Sequence, residues 1–599
     1  MIRLADYVIK RIVNVGVKHM FYVPGGQCVY LTDALRRCED IIPISMHHEQ
    51  SVAMAALSYS VLNENFGAGL VTTGCAGTNT LTGILHAWQD SIPMIIVSGQ
   101  QNYEQTVKYS ELPLRQVGIQ EADIETIVKP ITKYSVTINN PLDIAWHLDK
   151  AFYLALSGRK GPVWIDIPLN FQNAMLDEDK LRRYVPELEK RSYELNSISE
   201  IAEAMNNAKR PVILAGNGIR AAGAKQIFKE FVHKYNVPVV FSRLAFDMLP
   251  FDDEFNFGVI GGVAGANRYA NFTVQNADFV LVVGSKLSIE ITGANRTEFA
   301  REAKIIVVDI DSVEHQKKGV RIDSFICVDA KEFFEKFFVQ NISKVSQSWI
   351  DKCYHWKEIF KYKTTVTDPN YIDMKLFAEQ VSDNAPSNTV YVSDAGFTGA
   401  ATPAMTKLKI GDRFVIAQSQ GEMGYALPGA CGLATISCGP VVSYNGDGSI
   451  MMNLQELQTI VRNQFNIKII IINNNGYSGV RHGQKAHFRG KSIGTDSSNG
   501  LDLPSFEKLA FAFGIRYMKI EAKDNIQQKI SDIFIDNKPL ICEVICDPEQ
   551  FDLHNGLVMY GHRKFGFRPI EDQSPYIDRE LFFKEMIVKP LETSSGKPV

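Results

Sequence analysis

The stretch that decides the fold is VVSYNGDGSIMMNLQELQTIVRNQFNIKIIIINNNGYSG, residues 441–479. Apolar runs occupy 441–444 and 467–472, and the segment between them has a helical pattern. The first run ends at the sequence NGDG (445–448) and the second ends at NNNG (473–476). This pattern predicts a strand–helix–strand unit with two neighbouring parallel strands.

The two loop sequences contain oxygen donors that suit a divalent metal. Because parallel neighbours end at the same edge of a sheet, Asp447 and Asn474 are expected to emerge side by side. A carboxylate, an amide oxygen and a backbone carbonyl are the hard donors that Mg²⁺ prefers. Glycines beside them let backbone N–H groups approach phosphate. Two ordinary turns are the alternative, because Gly, Asp and Asn are favoured in turns anyway.

Bulk properties exclude several classes of protein. A chain of 599 residues predicts several domains, and 45% hydrophobic with 22% charged residues is typical of a soluble globular protein. The net charge of −4 gives no electrostatic footprint for a nucleic-acid partner. Nine scattered cysteines without a CxxC pair predict a reducing cytoplasm. We find neither a signal peptide nor an apolar run of about 18 residues, which predicts no membrane span.

Three blocks of alternating strands and helices predict an α/β fold with three Rossmann-like parallel-sheet domains. The predicted boundaries are 1–175, 190–345 and 366–555, followed by a charged tail at 556–599. The outer blocks are weakly similar to each other and differ from the middle one. In the first block, the strand candidates are 20–23, 41–44, 68–72, 93–98 and 162–167.

The motifs resemble those of thiamin-diphosphate-dependent enzymes. A GDG sequence followed by NN, with Asp447 and Asn474 27 positions apart, is similar to their metal-binding motif. The segment GLVTTGCAGTNTLTGILHAWQDSIPMIIVSGQ (69–100) resembles the TSGPG-x-TN…DS-x-P…GQ signature of acetolactate synthase large subunits. The resemblance covers about residues 1–550. The tail is similar to that of thiamin-diphosphate enzymes found with surface-polysaccharide or modified-sugar biosynthesis.

The resemblance implies a bound coenzyme and Mg²⁺. Asp447, Asn474 and the carbonyl of Gly476 would hold the metal. The Gly421 carbonyl would meet the exocyclic amine of the coenzyme, and Met423 would lie beneath its ring and enforce the bend. The alternative for this segment is a Gly-rich helix start with a core methionine. The coenzyme-binding residues implied are Gly396, Phe397, Thr398, Gly421, Met423, Gly446, Asp447, Gly448, Ser449, Asn474, Gly476, Tyr477, Ser478 and Gly479.

Glu49 follows a strand and starts an alanine-rich helix. The resemblance implies that it is the catalytic residue, which bonds the aminopyrimidine ring and promotes loss of the thiazolium C2 proton. That chemistry requires a buried carboxyl that can be protonated near neutral pH. The alternative is a carboxylate that merely stabilises a helix N-terminus. His47 and His48 are expected to pack beside the sheet, with a proton shuttle as the alternative.

The resemblance also implies self-association, as a homodimer or tetramer. In this family the glutamate of one subunit faces the metal-bound diphosphate of the other. The substrate pocket would be lined by Gly26, Gln120, Arg481 and His482. Arg481, His482 and His487 would contact an anionic or polar acceptor. A solvated helix face is an equal alternative for these three.

Acetolactate synthases also carry FAD on the middle domain, partly through arginines in a turn. This chain has GSKLSIEITG (284–293), which puts Lys286, Ser288 and Glu290 in those places. An acid at 290 is unfavourable for a flavin contact, whereas Arg159 and the DID sequence at 309–311 remain similar. FAD and an empty nucleotide fold both stay open.

The function implied is decarboxylation of a 2-oxo acid such as pyruvate and transfer of the remaining unit to a carbonyl acceptor. A simple 2-oxo acid decarboxylase is the first alternative. The second is a non-catalytic sensor of thiamin diphosphate, against which the presence of Glu49 argues.

Overall fold

The computed structural model describes residues 1–187, 196–550 and 553–598. Three six-stranded parallel sheets flanked by helices form an N-terminal, a central and a C-terminal domain. This architecture confirms the predicted α/β fold with three parallel-sheet domains. The predicted start of the middle domain at residue 190 lies outside the described residues, and the other boundaries stay predictions. Within the described residues, no helix is long and apolar enough to cross a membrane.

The six-stranded sheet of the N-terminal domain contains all five strands predicted for it and one more, β6 below. A short antiparallel pair, β1 with β8, joins its two ends. The strands are β1 (Ile2–Arg3), β2 (His19–Tyr22), β3 (Ile42–Ser45), β4 (Gly67–Val71), β5 (Met94–Gln100), β6 (Tyr134–Thr137), β7 (Val163–Pro168) and β8 (Met175–Leu176). The helices are α1 (Leu4–Asn14), α2 (Val29–Arg37), α3 (Glu49–Asn63), α4 (Cys75–Asn79), α5 (Leu81–Gln89), α6 (Val107–Ser110), α7 (Ile124–Val128), α8 (Ile144–Leu156) and α9 (Leu169–Gln172).

The central domain is built in the same way and is followed by a linking helix, α16. Its strands are β9 (Pro211–Ala215), β10 (Val239–Phe241), β11 (Asn256–Val259), β12 (Phe279–Val283), β13 (Lys304–Asp309) and β14 (Ser324–Cys327). The helices are α10 (Asn196–Asn207), α11 (Gly218–Ala221), α12 (Lys225–Tyr235), α13 (Arg268–Gln275), α14 (Ile289–Thr292), α15 (Ala330–Phe337) and α16 (Gln347–Ile359).

The C-terminal domain contains the stretch at residues 441–479. Its strands are β15 (Val390–Ser393), β16 (Arg413–Ile416), β17 (Val441–Gly446), β18 (Ile467–Asn473), β19 (Arg516–Ile520) and β20 (Leu540–Ile545). The helices are α17 (Met374–Asn384), α18 (Gly396–Met405), α19 (Ala426–Ala434), α20 (Glu456–Asn463), α21 (Ser478–His487), α22 (Phe506–Phe513) and α23 (Ile526–Ile533). Strand β18 is buried along nearly its whole length, as its isoleucine run predicts for a strand covered on both faces.

Strand order separates the outer domains from the central one. The N-terminal sheet runs β3-β2-β4-β5-β7-β6 and the C-terminal sheet runs β16-β15-β17-β18-β20-β19, which is the same order within each domain. The central sheet runs β11-β10-β9-β12-β13-β14. Strand order therefore reverses between β15 and β17 in the C-terminal domain and between β9 and β12 in the central one. Open α/β sheets bind ligands at such switch points.

Helices α3 and α19 pack the N-terminal domain onto the C-terminal one. Their small residues let the backbones touch, since a Cβ on Gly432 would lie 2.2 Å from the carbonyl oxygen of Ala55. The hydroxyls of Ser58 and Tyr425 share a buried hydrogen bond of 2.7 Å across the contact. Because α3 begins at Glu49 and α19 follows the Met423 segment, this packing fixes both relative to each other.

A buried ion cluster joins all three domains. Asp247 of the central domain pairs with Arg220 and with Arg413 of the C-terminal domain, at 2.7 Å from the Arg413 Nε. Arg413 also donates to Glu64 of the N-terminal domain at 3.0 Å. Although burial opposes ionisation, the two arginines hold the pKa of Asp247 well below its ordinary value. Removing Asp247 would take the buried counter-ion from both arginines, and breaking a buried ion pair costs about 3–5 kcal/mol.

The tail folds back onto the central domain. It forms a three-stranded antiparallel sheet of β21 (Leu557–Gly561), β22 (Lys564–Phe567) and β23 (Lys597–Pro598), with one helix, α24 (Arg579–Glu585). Glu571 is fully buried and accepts from Gln275 at 2.8 Å and from Arg301 at 2.8 Å. Part of the charge of this segment is therefore used in packing contacts, as Glu571, Asp572 and Arg568 are buried.

Candidate functional site

The predicted metal ligands meet at the carboxyl ends of β17 and β18. The strands are in register, with Gly446 opposite Ile472, so Asp447 and Asn474 follow neighbouring positions. The Asp447 carboxylate accepts from the backbone N–H of Gly448 at 2.7 Å and of Gly476 at 2.8 Å. Burial raises the pKa of Asp447 to about 6, and these backbone hydrogen bonds oppose the rise.

Asn474 is oriented by its neighbours. Its side-chain nitrogen donates to the Ser478 hydroxyl at 2.9 Å, which leaves the amide oxygen as the atom available to a cation. An Asp and an Asn oxygen with a backbone carbonyl fit the donor preference of Mg²⁺. The donor set predicted from the sequence is therefore brought together in one place.

Two glycines of the motif are required by close approach. A Cβ on Gly448 would lie 2.3 Å from the ring of Tyr477. Gly476 has φ +98°, and a Cβ there would lie 2.2 Å from the Thr495 carbonyl oxygen. The GDG turn therefore packs closely against the NNNG loop, and a larger residue at Gly448 or Gly476 would displace the neighbouring chain.

Helix N-termini surround the Asp447 carboxylate. Gly396, Phe397 and Thr398 form the first turn of α18, and its preceding residue provides no side-chain cap. Ser478 and Gly479 begin α21, which also has no side-chain cap, and Ser449 begins a short 3₁₀ turn. Gly446 faces the first turn of α18, because a Cβ on it would lie 3.6 Å from the Thr398 hydroxyl. Uncapped N–H groups of this kind favour a phosphate.

Asp394 lies at the same switch point and was not singled out from the sequence. It follows β15 and accepts from the Ala426 backbone N–H at 3.1 Å, while its other oxygen has no hydrogen-bond partner among the described residues. Complete burial raises the pKa of Asp394 to about 7. The aspartate in the sequence VSDAG, directly after a predicted strand, was the available signal.

The Gly421–Met423 segment forms an exposed loop before α19. Gly421 has φ +64° and no atom within 4 Å of the position of a Cβ. Met423 is 40% exposed, so it is not the core methionine of the alternative interpretation. The Gly424 carbonyl accepts from Asn453 at 2.8 Å, and Asn453 also donates to Gln50 of α3 at 3.2 Å. The loop is thus tied to the helix that starts with Glu49.

Glu49 is half-buried at the first position of α3. Its carboxylate accepts from the side-chain nitrogen of Asn79, at the end of α4, at 2.9 Å. His48 caps α3 by accepting from the Gln50 backbone N–H at 3.1 Å, and the ring of His47 lies 3.0 Å from the Thr459 hydroxyl. Both histidines therefore have packing and capping roles here. Asn79 belongs to the TN pair of the signature, but its bond to Glu49 was not predicted.

A polar network connects the loop to the other two domains. His86 is 1% exposed, and its Nδ1 lies 2.6 Å from Glu422 while its Nε2 lies 3.2 Å from Asp90. Burial alone would lower the pKa of His86, but the charges of Glu422 and Asp90 outweigh it and raise the pKa to about 10. Asp90 also accepts from Ser419, which in turn accepts from Lys286 of the central domain. Sequence reasoning missed this network.

The predicted substrate residues lie in the N-terminal and C-terminal domains. Gly26 and Gln120 are exposed in the N-terminal domain, and the Gln120 backbone packs on Gly74 at the start of α4. His482 lies on α21, where its Nε2 is 3.2 Å from Glu549, and burial lowers its pKa. His487, at the end of that helix, is exposed.

Arg481 has a different environment from both expectations. It is 2% exposed rather than solvated. Its guanidinium donates to the carbonyls of Asn475 at 2.6 Å, Asn474 at 3.1 Å and Pro548 at 2.9 Å. Since the protein itself uses these donors, we no longer expect Arg481 to bind substrate. It holds the loop that carries the metal ligands.

The switch point of the central domain is closed by protein contacts. Gly216 and Gly218 after β9 donate to Val283 and Gly284 after β12, each at 2.9 Å. Arg159 donates to Asp311 at 2.8 Å and to Glu314 at 2.7 Å, and Glu290 accepts from Gln418. Of the residues compared with flavin contacts, Arg159, Glu290 and Asp311 are therefore each engaged by another protein group.

Comparisons with known proteins cover all three domains. Family models match residues 2–127 ("Thiamine pyrophosphate enzyme, N-terminal TPP binding domain"), 198–337 ("central domain") and 394–544 ("C-terminal TPP binding domain"). The chain is 30% identical over 545 residues to an acetolactate synthase large subunit of Pyropia yezoensis, covering 87% of this chain and 88% of that protein. It is 29% identical over 567 residues to a probable acetolactate synthase large subunit of Methanocaldococcus jannaschii, covering 91% and 92%.

Proposed function

We propose that this chain, which belongs to the thiamine pyrophosphate enzyme family, decarboxylates a 2-oxo acid and joins the remaining unit to a carbonyl acceptor. Family membership confirms the resemblance found in the sequence. Relatives named acetolactate synthase large subunit support pyruvate as the donor. The acceptor is an aldehyde or a ketone.

One observation carries the proposal. The C-terminal switch point combines three convergent oxygen donors, from Asp447, Asn474 and Gly476, with two helix N-termini whose first turns have no side-chain cap. Oxygen donors fit Mg²⁺ and uncapped N–H groups fit phosphate, so together they fit a magnesium diphosphate.

The chain's residues would hold the coenzyme and its metal as follows. Asp447, Asn474 and the Gly476 carbonyl bind Mg²⁺, while the first turns of α18 and α21 orient the diphosphate. Thiamin diphosphate supplies, when bound, a carbon nucleophile that also accepts the electrons released by decarboxylation. The exposed Gly421 and Met423 bind the aminopyrimidine ring. The protein thus contributes position and electrostatics.

Glu49 exchanges a proton with the aminopyrimidine ring in this proposal. Its carboxylate is already oriented by the 2.9 Å bond from Asn79, and α3 places it beside the apolar Ala-rich surface that packs on α19. An oriented, partly desolvated carboxyl is suited to general acid–base catalysis, which contributes about 10²–10⁴-fold. A protein that only bound the coenzyme would have no need of this group.

We propose that two subunits complete each site. Apolar side chains around the C-terminal loops are exposed in a single chain: Met423, Met452, Val480, Phe488 and Ile493. A partner that brings its own Glu49 would cover them, because burying apolar surface favours association. Light scattering of the purified protein should give the mass of a dimer or tetramer. A monomer with full activity would contradict this arrangement.

The residues compared with flavin contacts do not fit a flavin dinucleotide. Glu290 presents a carboxylate, which would repel phosphate, and Arg159 is neutralised by Asp311 and Glu314. We therefore propose that the central domain carries no FAD. Absorbance of the purified protein between 350 and 500 nm tests this directly, and a flavin band that survives gel filtration would contradict it.

Product analysis tests the reaction. With pyruvate and Mg²⁺-thiamin diphosphate, the protein should release CO₂, and addition of a ketone or aldehyde should give a product with a new C–C bond. Acetaldehyde as the only product under every acceptor tried would identify a simple decarboxylase instead. No CO₂ release from any 2-oxo acid, with the coenzyme bound, would favour a sensor.

The Glu49→Gln variant tests the assigned catalytic role. We expect turnover to fall about 10²–10⁴-fold while coenzyme binding is retained, because the amide keeps the shape but cannot exchange the proton. Calorimetry with thiamin diphosphate measures binding separately from turnover. Glu39→Gln, a change at an exposed carboxylate of the same domain, is the matched control.

We also propose a cytoplasmic location. All nine cysteines are free thiols, as expected for a protein kept in a reducing compartment.

A further inference from the structure

We propose that His86 is a positioning residue, which holds Glu422 and thereby fixes the shape of the Gly421–Met423 loop for the coenzyme. The inference rests on the proposed function, because that function makes the loop part of the coenzyme site. It adds a residue of the N-terminal domain, remote from the loop in sequence, to the machinery that prepares the site.

The contact between His86 and Glu422 is direct and buried. The Nδ1 of His86 lies 2.6 Å from a carboxylate oxygen of Glu422, and both side chains are nearly inaccessible to solvent. Glu422 stands between Gly421 and Met423, so its side chain points into the protein while its neighbours are exposed. A charged hydrogen bond inside the protein is about twice as strong as a neutral one. It therefore anchors the loop at its middle residue.

A second anchor holds the base of the same loop. Asp90, which directly follows α5 and comes four residues after His86, has a carboxylate oxygen 3.2 Å from the ring Nε2. It also accepts from the hydroxyl of Ser419, and Lys286 of the central domain lies 3.9 Å from its carboxylate. The two cations and two carboxylates of this cluster balance in charge. The network thus binds the loop at residues 419 and 422 and leaves no net charge inside the protein.

The same helical segment reaches the catalytic carboxylate. Helices α4 and α5 are consecutive, and Asn79 at the end of α4 donates to Glu49 at 2.9 Å. One short rigid element therefore contacts Glu49 at one end and Glu422 at the other. A substitution of His86 should consequently alter the conformation of the loop, although His86 is too buried to contact coenzyme or substrate.

Two substitutions of His86 distinguish its contact with Glu422 from its contact with Asp90. Asparagine can place its nitrogen near the Nδ1 position and keep the bond to Glu422, whereas glutamine can place its nitrogen near the Nε2 position and keep the bond to Asp90. We expect His86→Gln to weaken binding of Mg²⁺-thiamin diphosphate about tenfold, because a buried charged hydrogen bond to the loop is lost. His86→Asn should restore most of this affinity.

Calorimetry with Mg²⁺ and thiamin diphosphate, on the full-length protein, measures the affinity. Hydrogen exchange of the amides at 418–424, without coenzyme, gives an independent readout, and exchange there should be faster in His86→Gln than in His86→Asn. Asp247→Asn is the matched control, since it weakens a buried interdomain ion cluster away from the loop. It should lower the unfolding temperature and leave coenzyme affinity unchanged.

Failure of the inference and of the proposed function can be told apart. If the unmodified protein takes up no coenzyme, the proposed function fails, and faster loop exchange in His86→Gln would still support the anchor. If the unmodified protein binds and both His86 variants bind equally well, with equal exchange at 418–424, the inference is overturned. Equal losses of affinity in Asp247→Asn and His86→Gln would also overturn it, because they would show a general effect of stability.

Discussion

The C-terminal and central domains have similar six-stranded parallel sheets, yet the loops at their switch points pack differently. At the carboxyl ends of β15 and β17, Gly396 has no atom within 4 Å of a Cβ position, and Asp447 follows the neighbouring strand β17. Between β9 and β12 the loops touch, since a Cβ on Gly216 would lie 2.1 Å from the Gly284 carbonyl. The first edge is prepared for a ligand, and the second is filled by the protein.

The difference lies in the loops and not in the sheets. At the C-terminal edge, backbone N–H groups hold the Asp447 carboxylate, and Ser478 orients the Asn474 amide so that its oxygen is left for a cation. At the central edge, Arg159 is paired with Asp311 and Glu314. A common fold thus supports a binding edge or a connecting edge, depending on a few residues after each strand.

The largest expected effect comes from Asp447→Asn. Magnesium-dependent coenzyme binding should weaken at least about a hundredfold, because the charge that binds the cation is lost. Asp311→Asn, the same change at the central edge, should alter coenzyme affinity less than about threefold. Calorimetry on both variants checks the comparison. Equal losses would show that the central edge takes part in binding.

An intermediate effect is expected for Arg481→Ala. Three carbonyls of the metal-ligand loop and its neighbour would lose their donor, so the affinity for Mg²⁺ should fall about tenfold to a hundredfold. Lys485→Ala, on the same helix but paired at the surface with Glu549, is the control and should change little. Titration of activity with Mg²⁺ gives both values. Unchanged Mg²⁺ dependence in Arg481→Ala would return this residue to the list of substrate candidates.

The smallest effect is expected for Arg159→Ala. Its bonds to Asp311 and Glu314 are partly exposed, and such pairs contribute about 1 kcal/mol or less. The unfolding temperature should therefore fall by a few degrees at most, with no change in coenzyme affinity. Scanning calorimetry and a binding titration measure the two quantities. A large loss of affinity would mean that the central edge is linked to the site.

Much of the fold could be predicted from the sequence because buried parallel strands consist largely of consecutive apolar residues. The runs at 441–444 and 467–472 became β17 and β18, and the GDG and NN loops met as expected. Four edge strands of the three parallel sheets were not predicted, namely β6, β11, β14 and β19. Their sequences, YSVT, NFGV, SFIC and RYMKI, lack an apolar run of four residues.

Long-range polar contacts could not be predicted from the sequence. His86 and Glu422 are 336 residues apart, and each taken alone is an ordinary polar residue of a helix or a loop. Arg481 was misjudged for the same reason, because a charged residue on a polar helix gives no local sign of burial. Only the approach of distant segments determines which polar groups are satisfied by protein and which are left for a ligand.

The cluster of Glu64, Arg220, Asp247 and Arg413 bears on any attempt to dissect the chain. Each of the three domains contributes at least one charge to it. Expressed separately, the C-terminal fragment would carry Arg413 without its counter-ions, whereas the central fragment would keep the Asp247–Arg220 pair, and both fragments would expose newly uncovered apolar surface. We expect such pieces to aggregate and the intact chain to melt in one calorimetric peak.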